Sequence, residues 1–396
     1  MDPRRKPVYM DYAATTPVDP KVVEAMAPYL SRLFGNPSSP HAWGQTAKRA
    51  LDEAREKVAG VLGCRFGEVV FTSGGTESIN AAMKGVALAL RESGNRIITD
   101  TAEHHAVLNT CRFLERLGFE VTYLPVDGDG MVNADEVARA VDDRTILVSV
   151  MLANNEVGTV QPLEEIVANV KERGTKLGRK VVVHTDAVQA PGFLDLDVGR
   201  LGVDMLSLSA HKFHGPRGAG ILYLRRGTPF QPTTLGGEQE RGRRAGTENV
   251  AAIVGMATAL EMAAAGKEGL GRQCQRLRDR LIQGVLGRVD GARLNGHPTS
   301  RLANNASFSF EGVEGETLVT GLDMAGIAAS SGSACSAGSS EPSHVLLAMG
   351  LPDGLVRSGL RLSLGRENTE EEVDYVIDTL CRLMERLRAL PSLRKG

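Results

Sequence analysis

The chain is organised around residues 207–218, which read SLSAHKFHGPRG. The alternating apolar residues from Asp204 to Ser209 predict a strand that ends where polar side chains gather. Lys212 follows that strand end between two histidines, and a Gly-Pro turn comes next. A lysine held there and partly removed from water keeps its amine neutral often enough to form a Schiff base. A surface lysine after a strand fits the same short pattern, so the rest of the chain has to decide.

The composition limits the class of protein. The 396 residues are 42% hydrophobic and 24% charged, with a net charge of -2, which is ordinary for a globular protein. This balance predicts neither a nucleic-acid partner nor a membrane surface. Residues 1–7 are basic but no apolar core follows them, and no run of about 18 apolar residues occurs, so we expect no secretory signal and no membrane span. Five scattered cysteines without a CxxC pair favour a reducing, cytoplasmic location and no metal site.

Strands and helices alternate from residue 68 to about residue 210. Strands are predicted at 68–72, 96–99, 120–124, 145–152, 181–184 and 205–209, with helices at 76–91, 104–117, 133–141 and 162–177 between them. This alternation predicts an α/β fold with a mainly parallel sheet covered on both faces. The strand at 220–224 follows too closely for a helical crossover, so we expect it to be antiparallel.

The two ends of the chain give weaker patterns. Residues 1–40 are rich in proline and are expected to be largely irregular. Two helices are predicted at 249–265 and 270–285, and the second begins a smaller domain. Further elements of that domain are a strand at 305–310 and helices at 317–324 and 369–390.

Polar side chains gather at four predicted strand ends, at residues 103–104, 154–156, 186–189 and 209–212. Carboxyl ends of parallel strands form the usual ligand crevice of open α/β sheets, so the four clusters together favour one binding site over four separate helix caps. Asp186 precedes Lys212 by about one βα connection and a strand. An aspartate for the pyridinium nitrogen and a lysine for the aldehyde are the pair that pyridoxal phosphate requires.

The turn at residues 72–78, TSGGTES, joins a predicted strand to a predicted helix. Its two glycines let the backbone approach a ligand, and the N–H groups of a helix N-terminus with the Thr76 hydroxyl favour an anion such as a phosphate. A plain helix cap is the alternative. The chain has no Walker A motif and no G-x-G-x-x-G, so neither a P-loop nor a dinucleotide site is predicted.

Two more parts of the sequence offer candidate functional side chains, a cysteine and an arginine. Residues 330–340, SSGSACSAGSS, have small side chains that predict a solvated segment with an exposed Cys335. Such a thiol suits a nucleophile that visits a site and leaves it, and a plain linker is the alternative. Arg361 alternates with Leu360 and Leu362, so it faces the other side of a strand, where a guanidinium can clamp a carboxylate. A surface ion pair fits the Arg361 pattern equally well.

Together these motifs resemble the cysteine desulfurases of the class V aminotransferase group, built on the type I pyridoxal-phosphate fold. The resemblance covers nearly the whole chain. It rests on YAATTP at 12–17, GNPSS at 35–39, TSGGTES at 72–78, NNEVG at 154–158, SAHK at 209–212, RAGT at 244–247 and SGSAC at 331–335. It implies a mainly parallel seven-stranded sheet in a large cofactor-binding domain, residues 16–262. A smaller α+β domain, residues 1–15 and 263–396, would carry the cysteine loop at about 328–341.

The resemblance also implies how pyridoxal 5'-phosphate is held. Lys212 would form the Schiff base, Asp186 would hold the pyridinium nitrogen and Gln189 would bind the ring hydroxyl. His104 would stack on the ring and move protons during catalysis. The other cofactor-binding residues it implies are Gly75, Thr76, Asn155, Ser209, His211 and Thr247. Thr247 would reach the phosphate of a neighbouring subunit, which implies a homodimer. Many relatives have alanine in place of Gly75, a difference that we expect to cost no contact.

The activity implied is removal of sulfur from L-cysteine. Asn155 and Arg361 would bind the substrate carboxylate, and Cys335 would take the sulfur as a persulfide while L-alanine leaves. The persulfide would pass to a sulfur-acceptor or iron–sulfur scaffold protein, and Cys335 would then serve as a transient iron–sulfur ligand. A selenocysteine lyase or a cysteine-sulfinate desulfinase on the same fold is the alternative. An ordinary aminotransferase and a non-catalytic assembly subunit are the remaining rivals.

Overall fold

The computed structural model describes residues 6–331 and 342–389. Their strands, in chain order, are β1 (Val8–Tyr9), β2 (Val69–Thr72), β3 (Arg96–Asp100), β4 (Glu120–Leu124), β5 (Thr145–Ser149), β6 (Val182–Asp186), β7 (Met205–Ser209), β8 (Gly220–Leu224), β9 (Glu238–Gln239), β10 (Arg244–Ala245), β11 (Ala292–Asn295), β12 (Asn305–Phe310), β13 (Ile327–Ala328), β14 (Ser330–Ser331) and β15 (Leu360–Ser363). Their α-helices are α1 (Pro20–Ser31), α2 (Ala42–Leu62), α3 (Gly75–Ala89), α4 (His105–Glu115), α5 (Ala134–Ala140), α6 (Leu163–Lys176), α7 (Val198–Leu201), α8 (Val250–Arg288), α9 (Gly315–Met324), α10 (His344–Ala348), α11 (Asp353–Arg357) and α12 (Glu370–Ala389).

A seven-stranded sheet in the described part of the chain has the order β2-β8-β7-β6-β5-β3-β4. The neighbours from β7 to β4 all pair in parallel. β8 runs antiparallel to both β2 and β7. The structure therefore confirms the mainly parallel α/β sheet and the antiparallel direction of the strand at 220–224.

Helices cover both faces of this sheet because its strands are apolar on both sides. Successive side chains of β6 point to opposite faces, so Val182 lies in one core and Val183 in the other. Helices α3 and α4 pack in the core that contains Val182. Helices α2, α6 and α8 pack in the core that contains Val183. Strands buried on both faces carry continuous apolar runs, as the sequence of residues 145–152 does.

A third core lies under a smaller antiparallel sheet of order β11-β12-β15-β14. It contains Phe308 of β12, Leu360 of β15 and Ile377 of α12. Val8 of β1 also lies in this core, so the start of the described chain packs with its end. The boundaries of the two domains at residues 15/16 and 262/263 stay a prediction.

Helix α8 corrects one prediction. The sequence predicted two helices, broken near Gly266, but the structure has a single helix of 39 residues. A Cβ added at Gly266, Gly269 or Gly271 would meet nothing within 4 Å, so those glycines mark an open stretch of the helix and not its end. The first half of α8 packs against α1 and α2, and α12 is a further helix in contact with it. Tertiary packing on both halves outweighs the low helix propensity of glycine.

By length and composition alone, α8 is also long and apolar enough to cross a membrane, and no other helix among the described residues is. Half of its most apolar stretch is buried inside the protein. The core helix of a soluble protein passes the same test, so this is weak support for a membrane span.

Helix α1 corrects a second prediction, since residues 1–40 were expected to be largely irregular. Pro20 occupies the first turn of α1, where its missing N–H costs no hydrogen bond. The Asp19 side chain caps the helix by accepting a hydrogen bond from the Lys21 N–H at 2.8 Å. The prediction of irregular structure at residues 20–31 was based on proline content and is wrong, because proline at the first helical turn is compatible with a helix.

Candidate active site

A cavity of about 300 Å³ lies at the carboxyl ends of β5, β6 and β7. All four polar clusters of the predicted strand ends contribute side chains to it. The predicted site residues that line it are Gly75, Thr76, His104, Asn155, Asp186, Gln189, Ser209, His211, Lys212 and Arg361. Strand direction explains the convergence, since parallel strands end at one edge of their sheet.

Lys212 follows β7 in a short 3-10 turn and extends its amine into the cavity. The amine donates hydrogen bonds to the backbone carbonyls of Ala13 at 2.6 Å and Ala14 at 2.7 Å. The Gln189 side-chain amide donates to the same Ala13 carbonyl at 3.0 Å. The half-buried Lys212 is therefore held by a segment near the N-terminus. The alternative interpretation, a solvated surface lysine, is wrong.

The N-terminus of α3 forms one wall of the cavity. In the described part of the chain, no side chain caps this helix at Gly74, so its first N–H groups are available to a ligand. A Cβ added at Gly75 would lie 2.9 Å from a methyl carbon of Val188 and 3.4 Å from Cβ of Ser209. The wall is close-packed at Gly75, and an alanine there would require Val188 to shift. Glycine at position 75 therefore suits the packing of this chain, and whether it costs a contact to the cofactor stays a prediction.

Burial shifts the pKa values of two side chains that line the cavity together with Lys212. It lowers the pKa of His104 to about 4, and the neighbouring Lys212 amine lowers it further. Nδ1 of His104 accepts a hydrogen bond from the Ala106 N–H at 3.0 Å, so His104 caps α4 as well as lining the cavity. Burial also raises the pKa of Asp186 to about 6, although the Val188 N–H and Lys212 act in the opposite direction. A cation placed against the Asp186 carboxylate would compensate its charge.

A hydrogen-bonded row lies beneath Asp186 and was missed by sequence reasoning. His184 is fully buried on β6, and its two ring nitrogens lie 2.9 Å from the hydroxyls of Ser149 on β5 and Ser207 on β7. Burial lowers the pKa of His184 to about 3, which keeps the imidazole neutral. The row ties three adjacent strands together just below the cavity. Serines on apolar strands beside a histidine were the available signal.

Two buried carboxyl groups behind His104 were also missed. Glu103 is fully buried, and among the described residues neither carboxyl oxygen has a hydrogen-bond partner of good geometry. Burial, followed by the charges of Asp100 and Asp186, raises the pKa of Glu103 well above its usual value. Burial also raises the pKa of Asp100 to about 7. Protonated carboxyls at these positions avoid placing several like charges in one dry region.

Arg361 reaches the cavity from β15 of the smaller sheet. Its side chain is 2% exposed, and Nη2 lies 2.9 Å from Oδ1 of Asp11. Nη1 donates to the Asn155 carbonyl at 3.0 Å, and Nε has no partner among the described residues. The interpretation of Arg361 as a surface ion pair is wrong, because the pair is buried. A buried guanidinium with an unpaired N–H suits an incoming carboxylate.

These residues fit pyridoxal 5'-phosphate. The α3 N-terminus, Thr76, Ser209 and His211 supply N–H and O–H donors for a phosphate on one side of the cavity. Asp186 supplies a carboxylate for a ring nitrogen, and Lys212 supplies an amine for an aldehyde. The side chains of the cavity thus match the phosphate, the ring nitrogen and the aldehyde of the cofactor.

Two predicted site residues remain. Cys335 lies outside the described residues. Thr247 is exposed and does not line the cavity of its own chain. The other cysteines are more than half removed from water or fully buried, and burial raises the pKa of Cys64 and of Cys274 to about 12. A reactive thiolate is therefore disfavoured at those positions.

Comparison with known proteins places the chain in a family. The family described as Aminotransferase class-V matches residues 8–376. A relative from Methanosarcina thermophila, named cysteine desulfurase IscS, is 53% identical over 388 residues, covering 98% of this chain and 94% of that one. A solved structure titled NifS-like protein has a TM-score of 0.89 and 42% identity, covering 97% of this chain and 100% of its own. Another, SspA in complex with cysteine, has a TM-score of 0.79 and 37% identity, covering 91% and 100%.

The matched region includes every strand of the large sheet and all four strands of the smaller antiparallel sheet. Both the Methanosarcina relative and the NifS-like structure are more than 30% identical to this chain over nearly the whole length of both chains. The fold and the residues of the cavity agree with that family. The chain therefore belongs to the class-V aminotransferase family and, within it, to the cysteine desulfurases.

Proposed function

We propose that this chain removes the sulfur atom of L-cysteine, releasing L-alanine and leaving a persulfide on Cys335. The observation that carries the proposal is that Lys212, Asp186 and Arg361 line one cavity. An amine, a carboxylate for a ring nitrogen and a guanidinium for a substrate carboxylate are the groups needed to act on an amino acid with pyridoxal phosphate. The cysteine desulfurase relatives support cysteine as that amino acid.

When it is bound, pyridoxal phosphate supplies an aldehyde that joins amines and a ring that accepts electrons from the substrate's α-carbon. The chain supplies the rest. The N-terminus of α3, with Ser209 and His211, would hold the phosphate. The Asp186 carboxylate keeps a proton on the ring nitrogen, and the serine-bridged His184 beneath it holds β6 in place.

Substrate orientation falls to Arg361. Its buried guanidinium binds the carboxylate of L-cysteine, and Asn155 lies beside it in the cavity wall. The Lys212 amine, which lines the same cavity, then takes the proton from Cα of the substrate. His104 is neutral near pH 7, because burial lowers its pKa to about 4, so its imidazole can accept a proton. It thereby serves proton transfer between the substrate sulfur and carbon.

Sulfur transfer is assigned to Cys335 because burial disfavours a thiolate at the other cysteines. The Cys335 thiolate attacks the substrate sulfur, an S–S bond forms and the substrate's C–S bond breaks. The electron pair of the broken bond goes to carbon, which takes a proton. The net reaction converts one thiol and cysteine into one persulfide and alanine, so no external oxidant is required.

The assembly and cellular setting are part of the proposal. We infer a homodimer in which Thr247 completes the neighbouring subunit's phosphate site, because Thr247 is exposed and does not line the cavity of its own chain. The proposal includes a cytoplasmic location and transfer of the persulfide to an acceptor or iron–sulfur scaffold protein, with Cys335 as a transient cluster ligand. The net charge of -2 supports a protein partner over nucleic acid.

The test is turnover by the purified holoenzyme. L-cysteine is added with a thiol reductant, and L-alanine and sulfide are measured together. The proposal expects equal amounts of both products. L-selenocysteine and cysteine sulfinate are run in parallel, and a preference for either of them with little turnover of cysteine would favour the alternative activities. Formation of a keto acid without sulfide would reject the desulfurase assignment in favour of an aminotransferase.

A further inference from the structure

A single carboxylate oxygen of Asp11 joins two parts of the molecule. Oδ1 of Asp11 lies 2.9 Å from Nη2 of Arg361 and accepts a hydrogen bond from the Ser330 hydroxyl at 2.8 Å. Arg361 is 2% exposed and Asp11 18%, so water screens their pair weakly. Any change in how Asp11 holds Arg361 therefore also changes how it holds Ser330.

Ser330 lies directly beside Arg361 in the small sheet. Strands β14 and β15 are antiparallel, with Ser330 opposite Arg361 and Ser331 opposite Leu360. Ser331 is the last described residue before the segment 332–341, which carries Cys335. The Asp11–Ser330 hydrogen bond thus lies at the entry to that segment, next to the guanidinium proposed to bind the substrate.

A substrate carboxylate at Arg361 places a second anion on a guanidinium that Asp11 already neutralises. Like charges on one buried cation repel each other, and each weakens the other's hold on it. The Asp11 side chain, which is the more exposed partner, can respond by turning away from Arg361. Because both hydrogen bonds use the same oxygen, that movement also breaks or reshapes the contact with Ser330.

We propose that Asp11 is a positioning residue that couples occupation of Arg361 by the substrate carboxylate to the hydrogen bond that holds Ser330. The inference rests on the proposed function, in which Arg361 binds that carboxylate. Asp11 makes no contact with the sulfur atom under this proposal and acts only through Arg361 and Ser330. Coupling between two sites is reciprocal, so the state of Ser330 also changes the affinity of Arg361 for a carboxylate.

The other end of the segment provides a matched control. Ser343, just after it, caps α10 and donates a hydrogen bond from its hydroxyl to Glu156 at 2.5 Å. His344 contacts the backbone carbonyl of Glu103 at 2.9 Å. Neither contact involves Asp11. Loss of the Ser343 hydroxyl therefore removes a hydrogen bond of similar length near the same segment while leaving the Asp11 bridge intact.

The experiment measures the rate at which iodoacetamide alkylates Cys335 in the full-length holoenzyme, followed by peptide mass spectrometry. Each rate is taken without and with saturating L-alanine, which has the carboxylate of the substrate but no thiol. Saturation is established by calorimetry for each variant. In the unmodified protein we expect L-alanine to change the rate by about fivefold or more. In Asp11→Asn, which keeps the shape of the side chain but not its charge, the rates with and without L-alanine should agree.

Ser330→Ala is the second variant, because it keeps the Asp11–Arg361 pair and so avoids leaving a buried guanidinium unpaired. It should lose the effect of L-alanine on alkylation while still binding L-alanine. Ser343→Ala should keep the effect. The inference is overturned if Asp11→Asn and Ser330→Ala respond to L-alanine as the unmodified protein does, or if Ser343→Ala loses the response equally.

Failure of the proposed function has a different signature. An unmodified holoenzyme that does not bind L-alanine in the calorimeter, or that releases no sulfide from L-cysteine, removes the premise about Arg361 and the inference with it. Binding of L-alanine and release of sulfide, without any change in Cys335 alkylation, would leave the proposed function standing and reject the coupling through Asp11.

Discussion

The amine of Lys212 donates a hydrogen bond to the carbonyl of Ala13, which lies 199 positions earlier in the chain, at 2.6 Å. The same N-terminal segment holds the neighbouring turn, since the Thr16 hydroxyl donates to the His211 carbonyl at 3.0 Å. Asp11, two residues before Ala13, pairs with Arg361. The N-terminal segment is therefore a structural part of the cavity, linking the lysine of the large sheet to the arginine of the small one.

Replacement of the amine tests its assignment. Lys212→Ala should lose the visible absorption band of the bound cofactor, because no amine remains to join the aldehyde. Turnover of L-cysteine should fall by at least about a hundredfold, the usual loss for a missing general base. Absorbance spectra and the alanine assay measure both effects. Lys84→Ala, at a lysine that stacks on the ring of Phe113, is the control and should keep band and turnover. A band that persists in Lys212→Ala would assign the linkage to another amine.

Removal of the proposed nucleophile should separate cofactor binding from sulfur transfer. Cys335→Ala is expected to keep the absorption band and its change on addition of L-cysteine, while sulfide release is lost. Cys64→Ala is the control, because burial raises the pKa of that thiol to about 12 and it is not expected to react. Persulfide on the protein, detected by mass spectrometry after brief exposure to cysteine, gives a direct readout. Parent-rate turnover by Cys335→Ala would place the nucleophile elsewhere.

Arg361→Lys should weaken substrate binding more than it slows the chemical steps. A lysine keeps the charge but lacks the planar pair of N–H donors that binds a carboxylate in two places. Loss of a charge-assisted hydrogen bond corresponds to a rise in KM for L-cysteine of about 10- to 100-fold. Steady-state kinetics with a matched Arg280→Lys variant, whose exposed pair with Asp374 is remote from the cavity, gives the comparison. An unchanged KM would mean that the carboxylate binds at another residue.

Much of the fold was predictable because its signals are local. Burial of parallel strands on both faces requires long apolar runs, and Thr145–Ser149 of β5 stands out in the sequence for that reason. Helix α8 shows the limit of such signals. Its glycines locally oppose a helix, and the contacts with α1, α2 and α12 that outweigh them come from distant parts of the chain. A pattern read along the sequence contains no information about those contacts.

For the candidate site, too, the sequence identifies some residues, while their long-range contacts become visible only in the structure. Lys212 and Asp186 could be selected from sequence, because they follow strands whose direction brings their ends together. Arg361 was selected from its place on a strand, but its ion pair with Asp11 could not be predicted, since it joins residues 350 positions apart. Glu103 was read only as part of a polar cluster. Its burial without a good hydrogen-bond partner becomes visible only after β3 and α4 are packed together.

Glu156 gives a prediction about pH. Burial raises the pKa of this carboxyl to about 7, against a smaller opposing effect of the hydrogen bond from Ser343 and the charge of Arg361. The folded protein thus keeps a proton that the unfolded chain has lost between about pH 4.5 and pH 7. The contribution of Glu156 to stability is fully present at low pH and is lost as pH rises through the folded pKa.

Glu156→Gln removes this ionisation while its amide oxygen can still accept the hydrogen bond from Ser343. The free energy of unfolding of the variant, relative to the unmodified protein, should therefore rise between pH 5 and pH 8 by up to about 3 kcal/mol. Denaturant titrations at several pH values measure this difference. Glu165→Gln, on the exposed side of α6, should give a difference that stays constant over the same range. A constant difference for Glu156→Gln would mean that the buried carboxyl ionises as readily as an exposed one.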